Sequence, residues 1–123
     1  MNERELIERY NAAWNAQDLQ TIHELHDPEI VFHNHTADER AQGAAVVREH
    51  IAQIFRNNPD IRFRGRRLYV NEGLVVNEWT ATATRDGKTL EWDGIDVFPI
   101  EDGKIKRKDV YSGFGVARDV KPS

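Results

Sequence analysis

The stretch Glu91–Ser112, EWDGIDVFPIEDGKIKRKDVYS, reads as one long hairpin and organises everything around it. Side chains alternate faces along a strand, so Trp92, Gly94, Asp96 and Phe98 share one side of its first arm. A three-residue loop, Glu101-Asp102-Gly103, with glycine in the left-handed position, closes Ile100 on Lys104 and sets Asp96 opposite Lys108. A two-residue loop would instead oppose Asp96 to Asp109, which like-charge repulsion disfavours. The hairpin thus predicts an Asp96–Lys108 pair pointing toward the interior, where it is either expensive scaffolding or a site.

Working outward, Leu74–Arg85 turns into Lys88–Ile100 at Asp86-Gly87, a strong short-hairpin signal. Ile61–Val70 turns at Asn71-Glu72-Gly73. Closing these turns predicts a polar row Arg67–Asn77–Asp96–Lys108 and a neighbouring row Gly65–Trp79–Gly94–Val110, with Trp92 and Ser112 next. Two glycines beside two tryptophans leave room above the sheet, as a small-molecule pocket requires. The opposite face carries Thr80, Thr82, Thr84, Ile95, Val97, Arg66 and Glu78, a mixture suited to a homodimer interface.

Upstream, Glu3–Ala16 has an amphipathic helical spacing in Leu6, Tyr10, Ala13 and Trp14, with Asn2 as its cap. Asp18 caps a short second helix carrying Leu19, Ile22 and Leu25. Glu29–His35 reads as a strand, Thr36–Gln42 as a polar loop, and Gly43 opens a third helix with Val46, Val47, His50, Ile51, Ile54 and Phe55 on its buried face. Helices first and strands after predicts an α+β fold, with helices on one face of a curved antiparallel sheet. At 123 residues the chain is a single domain, 1–123, with its core over about 3–113 and a loose tail over 114–123.

Composition narrows the function. The net charge of −4 argues against nucleic acid, and the Arg62, Arg64, Arg66 and Arg67 cluster reads as a solvated sheet face. There is no cysteine, hence no disulfide, thiol nucleophile or thiolate metal site. Met1 leads straight into a polar helix without a leader or a membrane-spanning run, so the expected location is the cytoplasm. His33-Asn34-His35 invites a metal reading, but no carboxylate motif accompanies it and none of His23, His26 and His50 has a reason to join it; no metal or other cofactor is expected. No serine sits in a nucleophile context and no glycine-rich loop cradles a phosphate.

The element order, with Arg9-Tyr10, Gly43, and Gly94-Ile95-Asp96-Val97-Phe98 ahead of Asp102-Gly103-Lys104-Ile105, resembles the nuclear transport factor 2-like superfamily, and within it the SnoaL-like proteins and ketosteroid isomerase. The resemblance runs from Leu6 to Ser112 and implies a cone-shaped, cystatin-like α+β barrel. That superfold hosts isomerases, cyclases, dehydratases, epoxide hydrolases and non-catalytic binders. Ketosteroid isomerase builds its oxyanion hole from a tyrosine and a protonated aspartic acid; Tyr10 and Asp96 fall at those positions. Its general-base aspartate is replaced by Asn34, an amide without useful basicity, so His33 or His35 would have to supply the base. Lys108 stands where the isomerase is apolar and would hold Asp96 ionised. The Asp–Arg–Asp set of the epoxide hydrolases is matched by Trp79, Ala81 and Val110, so the resemblance disfavours that chemistry.

The expected catalytic set is therefore Asp96, Tyr10, His33 and His35. Trp14, Phe32, Asn34, Arg67, Asn77, Trp79, Trp92 and Lys108 are expected to bind the substrate. Three readings follow: a cofactor-independent lyase, isomerase or cyclase acting on a small carbonyl-bearing or polycyclic molecule, a non-catalytic ligand-binding domain, or an interaction module whose interior is filled by side chains.

Overall fold

The computed structural model describes residues 1–120. Two helices come first, α1 (Glu3–Ala16) and α2 (Leu19–Leu25), each started by a side chain that accepts a backbone N–H: Asn2 from Glu5 at 2.8 Å and Asp18 from Thr21 at 3.1 Å. Such caps satisfy donors the first helical turn leaves free. Then follow β1 (His26–Asn34), β2 (Glu39–Gln42), α3 (Ala44–Asn57), β3 (Arg62–Asn71), β4 (Leu74–Arg85), β5 (Lys88–Glu101), β6 (Lys104–Ser112) and, after a 3₁₀ turn at Phe114–Val116, β7 (Arg118–Asp119). The result is an α+β fold with a curved sheet that does not close, in the order β2-β1-β6-β5-β4-β3, with β7 on β5.

Three expectations are corrected here. The segment expected as a polar loop contains β2, which pairs with β1 from Val31–Gln42 to Asn34–Glu39. The sheet is mixed rather than antiparallel, because β1 runs parallel to β6. Residues 114–120 are not a loose tail: Phe114 packs edge-on against Trp92 and β7 pairs with Leu90 and Glu91. The rest of that tail, 121–123, lies outside the described residues.

The β4–β5 register is the expected one, with Asn77 opposite Asp96, Trp79 opposite Gly94 and Ala81 opposite Trp92. Its neighbours differ. β3 closes Asn71 on Leu74, one residue tighter than expected, so Leu68 rather than Arg67 faces Asn77; a bulge at Arg66 then restores Gly65 to Trp79. Likewise β5 closes Glu101 on Lys104 through Asp102-Gly103, both with positive φ, the backbone that tight hairpins require. Two residues of β5 then stand against three of β6 between the Ile100–Ile105 and Val97–Asp109 pairs, a bulge. Asp96 accordingly pairs with Val110, and Gly94 with Ser112.

That bulge decides where Lys108 points. Regular alternation from buried Ile105 would bury position 107 and expose 108; with one residue added, Lys108 and Val110 are the buried ones. The interior then divides along α1. Leu6, Ile7 and Tyr10 are fully buried, as are Val75, Phe98 and Ile105, whereas Asn11 and Trp14, further along the helix, face an open space. Asn15 ties α1 to the sheet by donating to the Phe63 carbonyl and accepting from its N–H, both at 2.8 Å. On α3 Val47, Ile51 and Phe55 are buried; Val46, expected among them, is exposed.

Candidate functional site

The space between the concave sheet face, α1 and α3 is a cavity of about 480 Å³, large enough for a drug-sized molecule. Its walls are aromatic: Trp14, Phe32, Phe63, Trp79, Trp92 and Phe114. Trp14 and Trp79 both meet Phe63 edge-on, at 5.7 and 5.1 Å between ring centroids. Of the two glycines expected to open it, only Gly65 does, with no described residue within 4 Å of where a Cβ would stand. The room above Gly94 is taken by the Trp79 indole.

Asp96 and Lys108, both buried on the cavity wall, form an ion pair of 3.5 Å between Oδ2 and Nζ. Asn77 donates to the same Oδ2 at 3.3 Å and exchanges amide hydrogen bonds with Asn11 on α1. Oδ1 of Asp96 is buried without a partner among the described residues. Lys108 Nζ stands among four ring faces, 4.4 Å from the centroid of Trp14, 4.9 Å from Tyr10, 5.1 Å from Phe98 and 5.7 Å from Phe32. Burial pushes this amine below its ordinary pKa, and the Asp96 charge only partly offsets that.

Tyr10 is not a cavity residue. It is fully buried behind the wall, its Oη 2.8 Å from Nε2 of His26. Burial raises the phenol far above its usual range. Burial first, and then the Lys108 charge, pushes the His26 imidazole down to about 3, so the bond joins two neutral rings whichever donates. His26 belongs to neither expected set, being 16 residues from its partner on a different element.

His33 and His35 also miss the cavity. Phe32 and Asn34 point into it, so period-two alternation sends the flanking histidines to the outer face, where His35 stacks on Tyr111 and bonds Asp109 at 2.8 Å. The carboxylate the sequence did not offer these histidines thus arrives from β6: ligand atoms of His33, His35 and Asp109 lie within 4.8 Å of one another. Asp109 is already engaged by Arg107 at 2.9 Å and by His35; burial opposes its ionisation, and these two partners outweigh it and hold it below its usual pKa. Arg67 too lies outside, paired with Glu78 at 2.8 Å, because the tighter β3–β4 turn sets Leu68 rather than Arg67 opposite Asn77. Inside are Trp14, Phe32, Asn34, Asn77, Trp79, Trp92, Asp96 and Lys108.

His50 is a wall residue that sequence reasoning set aside, edge-on to Phe32 at 5.1 Å. Asn11 and Asn58 are others; Asn58 accepts from Arg85 at 2.6 Å, and the Arg85 guanidinium covers Phe114. Spacing could have found Asn11, which sits one turn before Trp14 on the same helix.

The sequence profile of the SnoaL-like domain matches residues 7–108, most of the chain. The chain belongs to the SnoaL-like family. Solved structures with the same fold include a protein with a cystatin-like fold from Xanthomonas campestris, with a TM-score of 0.80 at 24% identity over 92% of both chains. A candidate ketosteroid isomerase from Kribbella flavida has a TM-score of 0.77 at 16% identity, covering 98% of this chain and 81% of its own. A candidate polyketide cyclase from Sinorhizobium meliloti has 0.74 at 16% identity, covering 86% and 93%. No curated protein matches the sequence. At these identities the neighbours establish the fold, and the fold leaves chemistry to the residues. Of the residues that the resemblance set against ketosteroid isomerase, Tyr10 is sealed behind the wall, Asp96 faces the cavity beside Lys108, and Asn34 Oδ1 accepts from the Ala37 N–H at 3.2 Å. Among the described residues no helix is long and apolar enough to cross a membrane.

Proposed function

We propose that the cavity takes a flat, largely apolar molecule carrying a carbonyl or hydroxyl oxygen, and that the Asp96–Lys108 pair moves a proton at that oxygen or at the adjacent carbon. This is the chemistry of a cofactor-independent lyase, isomerase or cyclase. One observation carries the reading: a buried ion pair on an aromatic cavity wall, with Asp96 Oδ1 unpartnered among the described residues. Scaffold carboxylates of this kind normally satisfy both oxygens, and removing such a pair in favour of apolar residues is often neutral or stabilising. Asp96 serves as acid–base, Lys108 and Asn77 steady negative charge on the oxygen, and Trp79, Trp92 and Phe63 hold the ring system. The names of the isomerase and cyclase neighbours fit a polycyclic ketone. An interaction module with a filled interior does not fit a cavity of this size.

Binding without turnover is the second reading, and it is favoured by the outward placement of His33 and His35, which leaves no imidazole base among the expected residues. The α-proton exchange of 2-tetralone in deuterated buffer, followed by NMR, separates the two. Catalysis predicts exchange well above buffer, reduced about 10²-fold or more by Asp96→Asn with the fold retained. Quenching of tryptophan fluorescence by the ketone with no exchange above buffer means a binder.

A further inference from the structure

Lys108 is an unusual buried lysine. Its ammonium could donate three hydrogen bonds, yet among the described residues it has one acceptor, Asp96 Oδ2, at 3.5 Å, the limit of such a contact. The four surrounding rings attract a cation through their faces but offer no oxygen to its N–H groups. The bulge of β6 turns the side chain onto the cavity wall, where a bound molecule meets the amine in apolar surroundings. Burial lowers the pKa of this amine, and a desolvated lysine in a hydrophobic pocket is an activated nucleophile.

We infer that Lys108 forms an imine with an aldehyde or ketone in the cavity, with Asp96 carrying the protons. This rests on the reading that the cavity takes a carbonyl compound, and it names the bond that is made. The steps balance as follows. Asp96 takes one proton from the ammonium, and the free amine of Lys108 adds its lone pair to the carbonyl carbon. The resulting alkoxide takes the proton back from Asp96, giving a carbinolamine. The Asp96 carboxylate then removes a proton from the nitrogen and delivers it to the hydroxyl, which leaves as water. The product is an iminium, one positive charge in place of the ammonium, still facing the Asp96 carboxylate and the Trp14 and Tyr10 rings. An iminium withdraws electrons from its neighbouring carbon, which suits the C–H or C–C bond breaking of a lyase or isomerase.

The test is reductive trapping of the wild-type protein with cinnamaldehyde and cyanoborohydride at neutral pH, with peptide mapping by mass spectrometry. The exposed Lys88 is an internal control, and cinnamyl alcohol, which cannot form an imine, is the control for occupancy of the cavity. Lys108 should label faster than the exposed Lys88, because burial lowers the pKa of its amine and so raises the neutral, nucleophilic fraction. Asp96→Asn should slow labelling at Lys108 and leave Lys88 unchanged. If the alcohol quenches tryptophan fluorescence and either it slows no labelling or Lys108, without it, labels no faster than Lys88, the imine is wrong while the cavity reading stands. If the alcohol does not bind and Lys108 does not label, both fall.

Discussion

At position 94 the three carbons at the far edge of the Trp79 ring occupy the space where a Cβ would stand. Gly94→Ala therefore forces that indole into the cavity or opens the β4–β5 ladder. Overpacking of this kind costs about 1–3 kcal/mol, to be read by urea denaturation, and tighter walls should weaken quenching by 2-tetralone. Gly65 is the matched control, since no described residue lies within 4 Å of its would-be Cβ and its φ is not left-handed. Gly65→Ala should stay within about 0.5 kcal/mol of the parent. Equal losses at both sites would mean that glycine matters here for backbone freedom rather than for the room the indole needs.

Among the elements, α1 is held to the sheet by more than its apolar stripe. Asn15 mimics a strand neighbour for Phe63, pairing its N–H and C=O together, and Phe63 in turn walls the cavity. Asn15→Ala leaves two backbone groups without their partner and should cost about 1–3 kcal/mol in chemical denaturation, with ligand quenching weakened because Phe63 loses its anchor. The hairpin that could be read from sequence was β4–β5: Asp86-Gly87 sits directly at the bend and no bulge interrupts the ladder, so Asn77, Trp79 and Asp96 fell where expected. The other two hairpins carry bulges at Arg66 and within 106–108, basic stretches that look solvated in any register. Arg67 was misplaced because the β3–β4 turn closes one residue tighter than expected. Lys108 kept its inward facing because a turn one residue shorter and a bulge one residue longer compensate. The histidines are a different case, since Phe32 inward already implied Asn34 inward and His33 and His35 outward; the chemical appeal of an imidazole base outweighed the strand's own period. Nothing local marks His26 as the partner of Tyr10, because that contact joins the first turns of β1 to the middle of α1.

That same contact sets how the whole molecule responds to acid. Three elements meet around His26: Tyr10 of α1 bonds it, His23 of α2 lies near, and Lys108 of β6 repels its protonated form. The folded protein keeps the imidazole neutral down to about pH 3, whereas in the unfolded chain it takes up a proton near its ordinary value of about 6.5. Between these values the unfolded state binds the extra proton, so stability is fully present above about 6.5 and falls as the pH is lowered, by up to about 1.4 kcal/mol per pH unit. Several carboxylates held below their usual pKa, among them Asp60 and Asp93, act with the same sign, but their window opens lower, near the ordinary carboxylate range. The upper part of the acid limb, from about pH 6.5 to 5, thus belongs to His26. Urea denaturation across that interval should show a steep loss in the parent protein and a flattened one in His26→Gln, even though the variant starts from a lower stability. A slope unchanged by the substitution would mean that the imidazole is protonated in the folded state, and that the Tyr10–His26 bond is charged rather than neutral.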